Sequence, residues 1–236
     1  MLVLDNSSTY SKNILDQLDQ KEVIALLINR SSIEQIQKKP LIVEIFREVD
    51  RFSQENGVIG FHCTKEIQSR PYNEFGLRIL DMKLHHMEFI EYLKTEMSLA
   101  NDKIVYIKEK LDYFRMQETG RREGLLWFCL NRSLVKSKGT EGFFEYYGGE
   151  AINFWYRSDP IIGHLCKKIG RAVVVEALIN ISQLTIYSEY GLGKCLVSNY
   201  AHALNKKFQI THLQGHVKSN ISCASIIKVH PRDSFV

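Results

Sequence analysis

Three short stretches of the 236-residue chain carry side chains whose types and spacing suit chemistry. The first is Phe61-His62-Cys63-Thr64, a histidine that ends a short apolar run and is followed by two small polar residues. An imidazole so placed is either a ligand-binding group or a satisfied structural one. The second is Gly124-Leu125-Leu126-Trp127-Phe128-Cys129, an aromatic pair on an apolar strand, read either as plain core or as part of a site. The third is Gly148-Gly149-Glu150, flanked by Tyr146, Tyr147, Phe154, Trp155 and Tyr156. Paired glycines let backbone approach closely, and a carboxylate among aromatic rings suits a cationic or oxocarbenium-like species. A hairpin turn with an exposed glutamate is the alternative.

Common signatures are missing. The sequence has no G-x-x-x-x-G-K-[ST] loop, no G-x-G-x-x-G, no H-E-x-x-H and no G-x-S-x-G. Gly191-Leu192-Gly193-Lys194 comes nearest to a phosphate loop, yet Cys195 stands where a hydroxyl residue belongs, so it reads as a helix-start turn. The five cysteines form no C-x-x-C pair and no metal-spaced cluster, which predicts neither a disulfide framework nor a metal site. With 44% hydrophobic and 25% charged residues, the chain has the composition of a folded globular protein. The net charge of +4 permits a polyanionic partner without requiring one. No apolar run is long enough to span a membrane and the N-terminus has no leader pattern, so a cytoplasmic location is expected.

These stretches must be positioned by secondary structure. Ser11 caps a helix carrying Ile14, Leu18, Ile24, Leu27 and Ile28, and Pro40 opens another with Ile42, Ile45, Phe46, Val49 and Phe52. Asn56-Gly57 closes this region and a strand begins at Val58. Helical periodicity returns over residues 82–114. There Leu84, Met87, Ile90 and Leu93 line one face, Ile104, Ile107, Leu111 and Phe114 another, and Ala100-Asn101-Asp102 forms the turn between them. Strands are expected at 125–129, 151–156, 172–181 and 226–229, with helices at 160–169 and 193–206. The expected class is α+β, with a helical N-terminal portion over residues 1–56 and one further domain over 57–236.

Taken in order, Gly60-Phe61-His62-Cys63-Thr64, Phe75-Gly76-Leu77, Gly124 through Cys129 and Ile221 through Pro231 resemble landmarks of the ADP-ribosyltransferase fold. The similarity is to the branch of diphtheria-type toxins and poly(ADP-ribose) polymerases, whose first core strand carries H-G-T and whose next reads like G-I-Y-F-A. The resemblance implies a split β-sheet core that uses NAD as substrate and needs no metal. It implies that His62 hydrogen-bonds a ribose, that the backbone at Cys63 grips the nicotinamide amide, and that Thr64 supports the turn. Cys63 departs from the family's glycine. Trp127 stands where the family has a stacking tyrosine, and the slot for its late-strand glutamate falls near Gln214. Glu150 or Glu176 is then a candidate for the missing carboxylate, while Tyr72 and Arg78 are candidates for lining the nucleotide pocket. A dinucleotide is expected to lie across the His62 and Trp127 rings in one cleft.

The chemistry explains that set. Breaking the nicotinamide–ribose bond builds positive charge on the ribose carbon while nicotinamide leaves neutral, so a carboxylate stabilises the transition state and no acid is required. The resemblance implies transfer of ADP-ribose to a macromolecule, RNA, DNA or protein, by a bacterial toxin or defence effector, with a neutralising antitoxin as a further partner. Arg121-Arg122, Lys167-Lys168, Arg171 and Lys206-Lys207 are either polynucleotide contacts or plain surface. Two other readings stay open: a non-catalytic NAD or ADP-ribose binding module, and an RNA 2′-phosphotransferase-like enzyme, which shares an H-x-T start.

Overall fold

A computed structural model describes residues 1–117 and 122–235. In chain order its helices are α1 (Lys12–Leu18), α2 (Lys21–Asn29), α3 (Pro40–Asn56), α4 (Tyr72–Phe75), α5 (Met82–Thr95), α6 (Asn101–Gln117), α7 (Arg132–Val135), α8 (Glu141–Glu145), α9 (Gly149–Tyr156), α10 (Ile162–Lys168), α11 (Gly191–Leu204) and α12 (Arg232–Phe235). The strands are β1 (Val58–Glu66), β2 (Leu126–Cys129), β3 (Arg171–Ile179), β4 (Leu184–Thr185), β5 (Gln214–Val217) and β6 (Ile226–Pro231). They form one antiparallel sheet in the order β4-β5-β2-β1-β3-β6, so the chain is mixed α and β. No helix among the described residues is long and apolar enough to cross a membrane.

The chain divides into two compact units. The first comprises Met1–His62, Trp127–Ser137 and Glu176–Val217, and thus joins the N-terminal helices to parts of β1, β2 and β3, to all of β4 and β5, and to α7 and α11. The Ser11 hydroxyl accepts from the Ile14 amide at 3.2 Å and starts α1, and Pro40 at the head of α3 has no amide hydrogen to leave unpaired. The expected single N-terminal helix is two, broken after Leu18, and Ile28 is exposed while Val23 and Leu27 are buried. On α3, Ile42, Ile45, Phe46 and Val49 are fully buried, as a 3.6-residue period requires. Gly193 of α11 lets that helix approach α3: a Cβ there would stand 2.7 Å from the Phe46 Cα. In β1, a Cβ at Gly60 would meet Ile179 Cδ1 at 2.5 Å and Phe128 Cδ1 at 2.9 Å, so a glycine is needed two residues before His62.

The second unit comprises Cys63–Leu126, Lys138–Val175 and Lys218–Val236. Ile104, Ile107, Leu111 and Phe114 of α6 are buried as expected. On α5 the buried stripe is instead Met82, His86, Phe89 and Leu93, and Leu84 and Met87 face solvent. The reason is local: Asp81 caps α5 by accepting from the Leu84 amide, and His86 is kept inside by donating from Nε2 to the Ala151 carbonyl at 2.9 Å. Residues 151–156, expected as a strand, lie in α9, whose Ala151 and Ile152 join the same core.

Gly76 ends α4 with φ +70°, and Leu77 and Ile221 then exchange backbone hydrogen bonds of 2.8 Å each. A Cβ at Gly76 would stand 2.3 Å from the Ile221 oxygen. Gly76→Ala is therefore expected to cost about 2 kcal/mol or more, combining left-handed strain with a clash against backbone. A urea-denaturation midpoint unchanged from wild type would refute this.

Candidate functional site

In the first unit, His62, Trp127 and Gln214 occupy β1, β2 and β5, which are consecutive in the sheet. The link between the first two is direct. His62 Nδ1 donates to the Trp127 carbonyl at 2.9 Å. A carbonyl can only accept, so this bond places the ring proton on Nδ1 and leaves Nε2 with a free lone pair. Burial lowers the His62 pKa against the smaller opposing effect of that hydrogen bond, which keeps the ring neutral near pH 7. The group is thus prepared to accept a hydrogen bond from a hydroxyl at Nε2.

The two rings do not share a face. The His62 imidazole meets the Phe128 ring edge-on at 5.9 Å, and Gly60 on the same side of β1 also approaches Phe128. Trp127 precedes Phe128 in β2, so its indole leaves the opposite side. The expectation of a dinucleotide lying across the His62 and Trp127 rings in one cleft is corrected accordingly. Trp127 instead lies 4.8 Å from the His216 ring, and His216 lies 5.7 Å from Tyr187. The indole Nε1 is buried and has no hydrogen-bond partner among the described residues.

Gln214 begins β5 and is exposed. It lies two residues before His216 and so shares a face with His216 and Trp127. Glu176 lies half-buried on β3 in the same unit. Sequence reasoning missed His216 and Tyr187; the polar residues at alternate positions 214 and 216 were the available signal.

The other expected residues belong to the second unit. Cys63 is buried on β1. Thr64 Oγ1 and the Tyr72 hydroxyl are hydrogen-bonded at 3.3 Å, and the Tyr72 hydroxyl also donates to the Lys65 carbonyl at 3.3 Å. The Tyr72 amide donates to Glu66 Oε1 at 2.9 Å, while Glu66 Oε2 accepts from Arg171, so a buried carboxylate fixes the start of α4. Burial raises the Tyr72 pKa. Lys65 is buried too, and its ammonium donates to the Cys166 and Lys167 carbonyls at 3.2 and 2.6 Å, closing the end of α10.

Glu150 is not in the hairpin turn entertained for it. It lies in the first turn of α9 and pairs with Arg122, whose guanidinium also covers the Phe154 ring at 5.8 Å. Its carboxylate is engaged by Arg122 within the second unit. Arg121 lies outside the described residues. Lys167 pairs with Glu145 and Arg171 with Glu66, so neither is an uncommitted cation.

Arg78 pairs with Glu88, and so does Arg70. His85, one turn earlier on α5, stacks on Tyr147 with ring centroids 5.8 Å apart. Burial, followed by the charge of His86, pushes the His85 pKa down to about 4, with Glu88 pulling the other way and Arg78 and Arg70 adding to the lowering. In an unfolded chain the same ring takes up a proton near pH 6.5. The stabilising effect of a neutral His85 is therefore complete above pH 6.5 and is lost as pH falls toward 4, at most roughly 3 kcal/mol. His85→Phe should lose less stability than wild type between pH 7 and pH 4.5 in urea titrations; parallel losses would exclude His85 as a source of acid sensitivity.

Among the described residues no group of three or more His, Cys, Asp or Glu side chains is arranged to hold a metal ion. No family model, curated protein or solved structure matches this chain.

Proposed function

We propose that the chain is an NAD-consuming ADP-ribosyltransferase. The observation that carries this reading is that three positions read as motif landmarks, though separated by long stretches of sequence, fall on three consecutive strands of one sheet, β1, β2 and β5. The hydrogen bond from His62 to Trp127 adds chemical sense, since it leaves Nε2 as an acceptor for a ribose hydroxyl.

In the proposed reaction the bond between nicotinamide nitrogen and ribose carbon breaks, and its electron pair leaves with neutral nicotinamide. A nucleophile on the acceptor then bonds to the ribose carbon and releases its proton to solvent. His62 holds the ribose so that the departing and arriving groups stay aligned. Trp127 contributes its carbonyl, which orients His62. Gln214 lies on the face of Trp127 and His216, opposite His62, so the ribose that His62 holds receives neither its amide nor a carboxylate at that position.

That last point favours a second reading, a module that binds NAD or ADP-ribose without turnover. The two readings differ in one experiment. Full-length protein incubated with adenine-labelled NAD and total RNA, DNA or lysate protein is expected to move label into a macromolecule. Recovery of intact labelled NAD, bound to the protein but uncleaved, would select the binding module. Release of labelled ADP-ribose alone would indicate hydrolysis to water.

A further inference from the structure

The second unit contains a charge arrangement, built on Arg78 and two residues with no role above. Arg70 Nη1 donates to Glu88 Oε1 at 2.8 Å and Arg78 Nη2 donates to Glu88 Oε2 at 2.5 Å. One carboxylate thus serves two guanidiniums. Neither arginine has another carboxylate partner among the described residues, so the trio carries a net charge of +1.

The surroundings do not neutralise it. Tyr72, Tyr147 and His85 are titratable groups that feel the charges of the trio, and Glu66, which also acts on Tyr72, is paired with Arg171. Burial is the leading cause that raises the pKa of both tyrosines and lowers that of His85, so all three are uncharged near neutral pH. Around them the site is partly desolvated, with Tyr147 stacked on His85 and on Phe89, and with Arg70 over the Phe75 ring at 5.7 Å.

Two like charges are drawn together here against their mutual repulsion, with half the counter-charge needed. Their side chains keep 29% and 35% exposure, and Glu88 keeps 34%, so solvent and small ions reach all three. Ion pairs this exposed contribute little to stability, which makes fold maintenance a weak reason for the arrangement. Guanidiniums are planar forks that match phosphate oxygens as well as they match a carboxylate.

We infer that Arg70 and Arg78 form a receiving site for a diphosphate, and that Glu88 occupies this site in the ligand-free protein as a resident competitor. An arriving diphosphate takes over the hydrogen bonds now made to Glu88, and the displaced carboxylate turns to solvent. No covalent step is involved. The inference rests on the NAD reading only in naming a dinucleotide as the natural carrier of the diphosphate.

The test is titration calorimetry of the full chain with inorganic pyrophosphate and, in a separate arm, ADP-ribose. Glu88→Gln, which removes the competing charge but keeps the side-chain shape, should tighten pyrophosphate binding by about tenfold or more. Arg70→Ala and Arg78→Ala should each weaken it by at least about tenfold. Tighter binding of both ligands to Glu88→Gln supports a dinucleotide as the carrier, and tighter binding of pyrophosphate alone supports the anion site with another carrier. Pyrophosphate binding that is undetectable in both wild type and Glu88→Gln, with circular dichroism showing both folded, overturns the inference. Cleavage of NAD is scored separately. Binding without cleavage leaves the anion site standing and removes the transferase reading, whereas cleavage by both arginine variants at the wild-type rate and KM removes NAD as the carrier and keeps the transferase.

Discussion

His62→Ala is expected to lower nicotinamide release from NAD by roughly 10²-fold or more, the usual effect of removing one preorganised polar contact from an enclosed reaction centre. The argument runs through the tautomer. With its proton committed to the Trp127 carbonyl and its charge suppressed by burial, the ring presents a single acceptor, Nε2. A ribose hydroxyl held there fixes the sugar while its ring carbon gains positive charge. The same substitution leaves the Trp127 carbonyl without its partner, a stability loss on the order of 1 kcal/mol. His62→Gln separates the two effects, because its amide can still donate to that carbonyl. It should fold as stably as wild type and show intermediate activity. Wild-type turnover in folded His62→Ala would remove the imidazole from the mechanism.

Gln214→Glu should leave nicotinamide release unchanged, because position 214 lies on the face of the sheet that carries Trp127 and His216, opposite His62. The developing charge on the ribose is positive, and an amide oxygen stabilises it far less than a carboxylate. Gln214 is exposed at the start of β5, so a charged side chain can be introduced there without burying it. Gln214→Ala should likewise keep the wild-type rate. A rate raised about tenfold or more by Gln214→Glu would put position 214 beside the ribose and contradict the face assignment.

Where periodicity was strong, the sequence was a good guide. The buried faces of α3 and α6 follow the 3.6-residue spacing of their apolar residues. On α5 it misled, because His86 is buried through a bond to the Ala151 carbonyl while Leu84 and Met87 are exposed. Residues 151–156 have the short apolar and aromatic run that suits a buried strand or a buried helix equally, and the core they share with α6 decides for helix. Strand β5 is not legible from periodicity, because Gln214-Gly215-His216 has no apolar alternation. Its place in the sheet comes from pairing, Thr185 with His216 and Leu184 with Val217.

The candidate site was legible in its residue types and not in its directions. His62, Trp127 and Gln214 were identifiable singly, but which side of the sheet each ring takes follows from the pairing of Phe61 with Cys129, which no spacing within one strand reveals. Glu150 looked like an isolated carboxylate because Arg122, far from it in sequence, could not be seen as its partner. The Arg70–Glu88–Arg78 trio was hidden for the same reason: its members come from a loop, the segment after α4 and a helix, and each alone resembles ordinary surface charge.

The most direct measurement is the time course of free nicotinamide when purified full-length protein is mixed with NAD in the presence of total RNA, DNA and cell lysate. The account predicts nicotinamide appearing in step with NAD loss, and the rate falling to background with His62→Ala. NAD left intact by folded wild-type protein across those acceptors would contradict it.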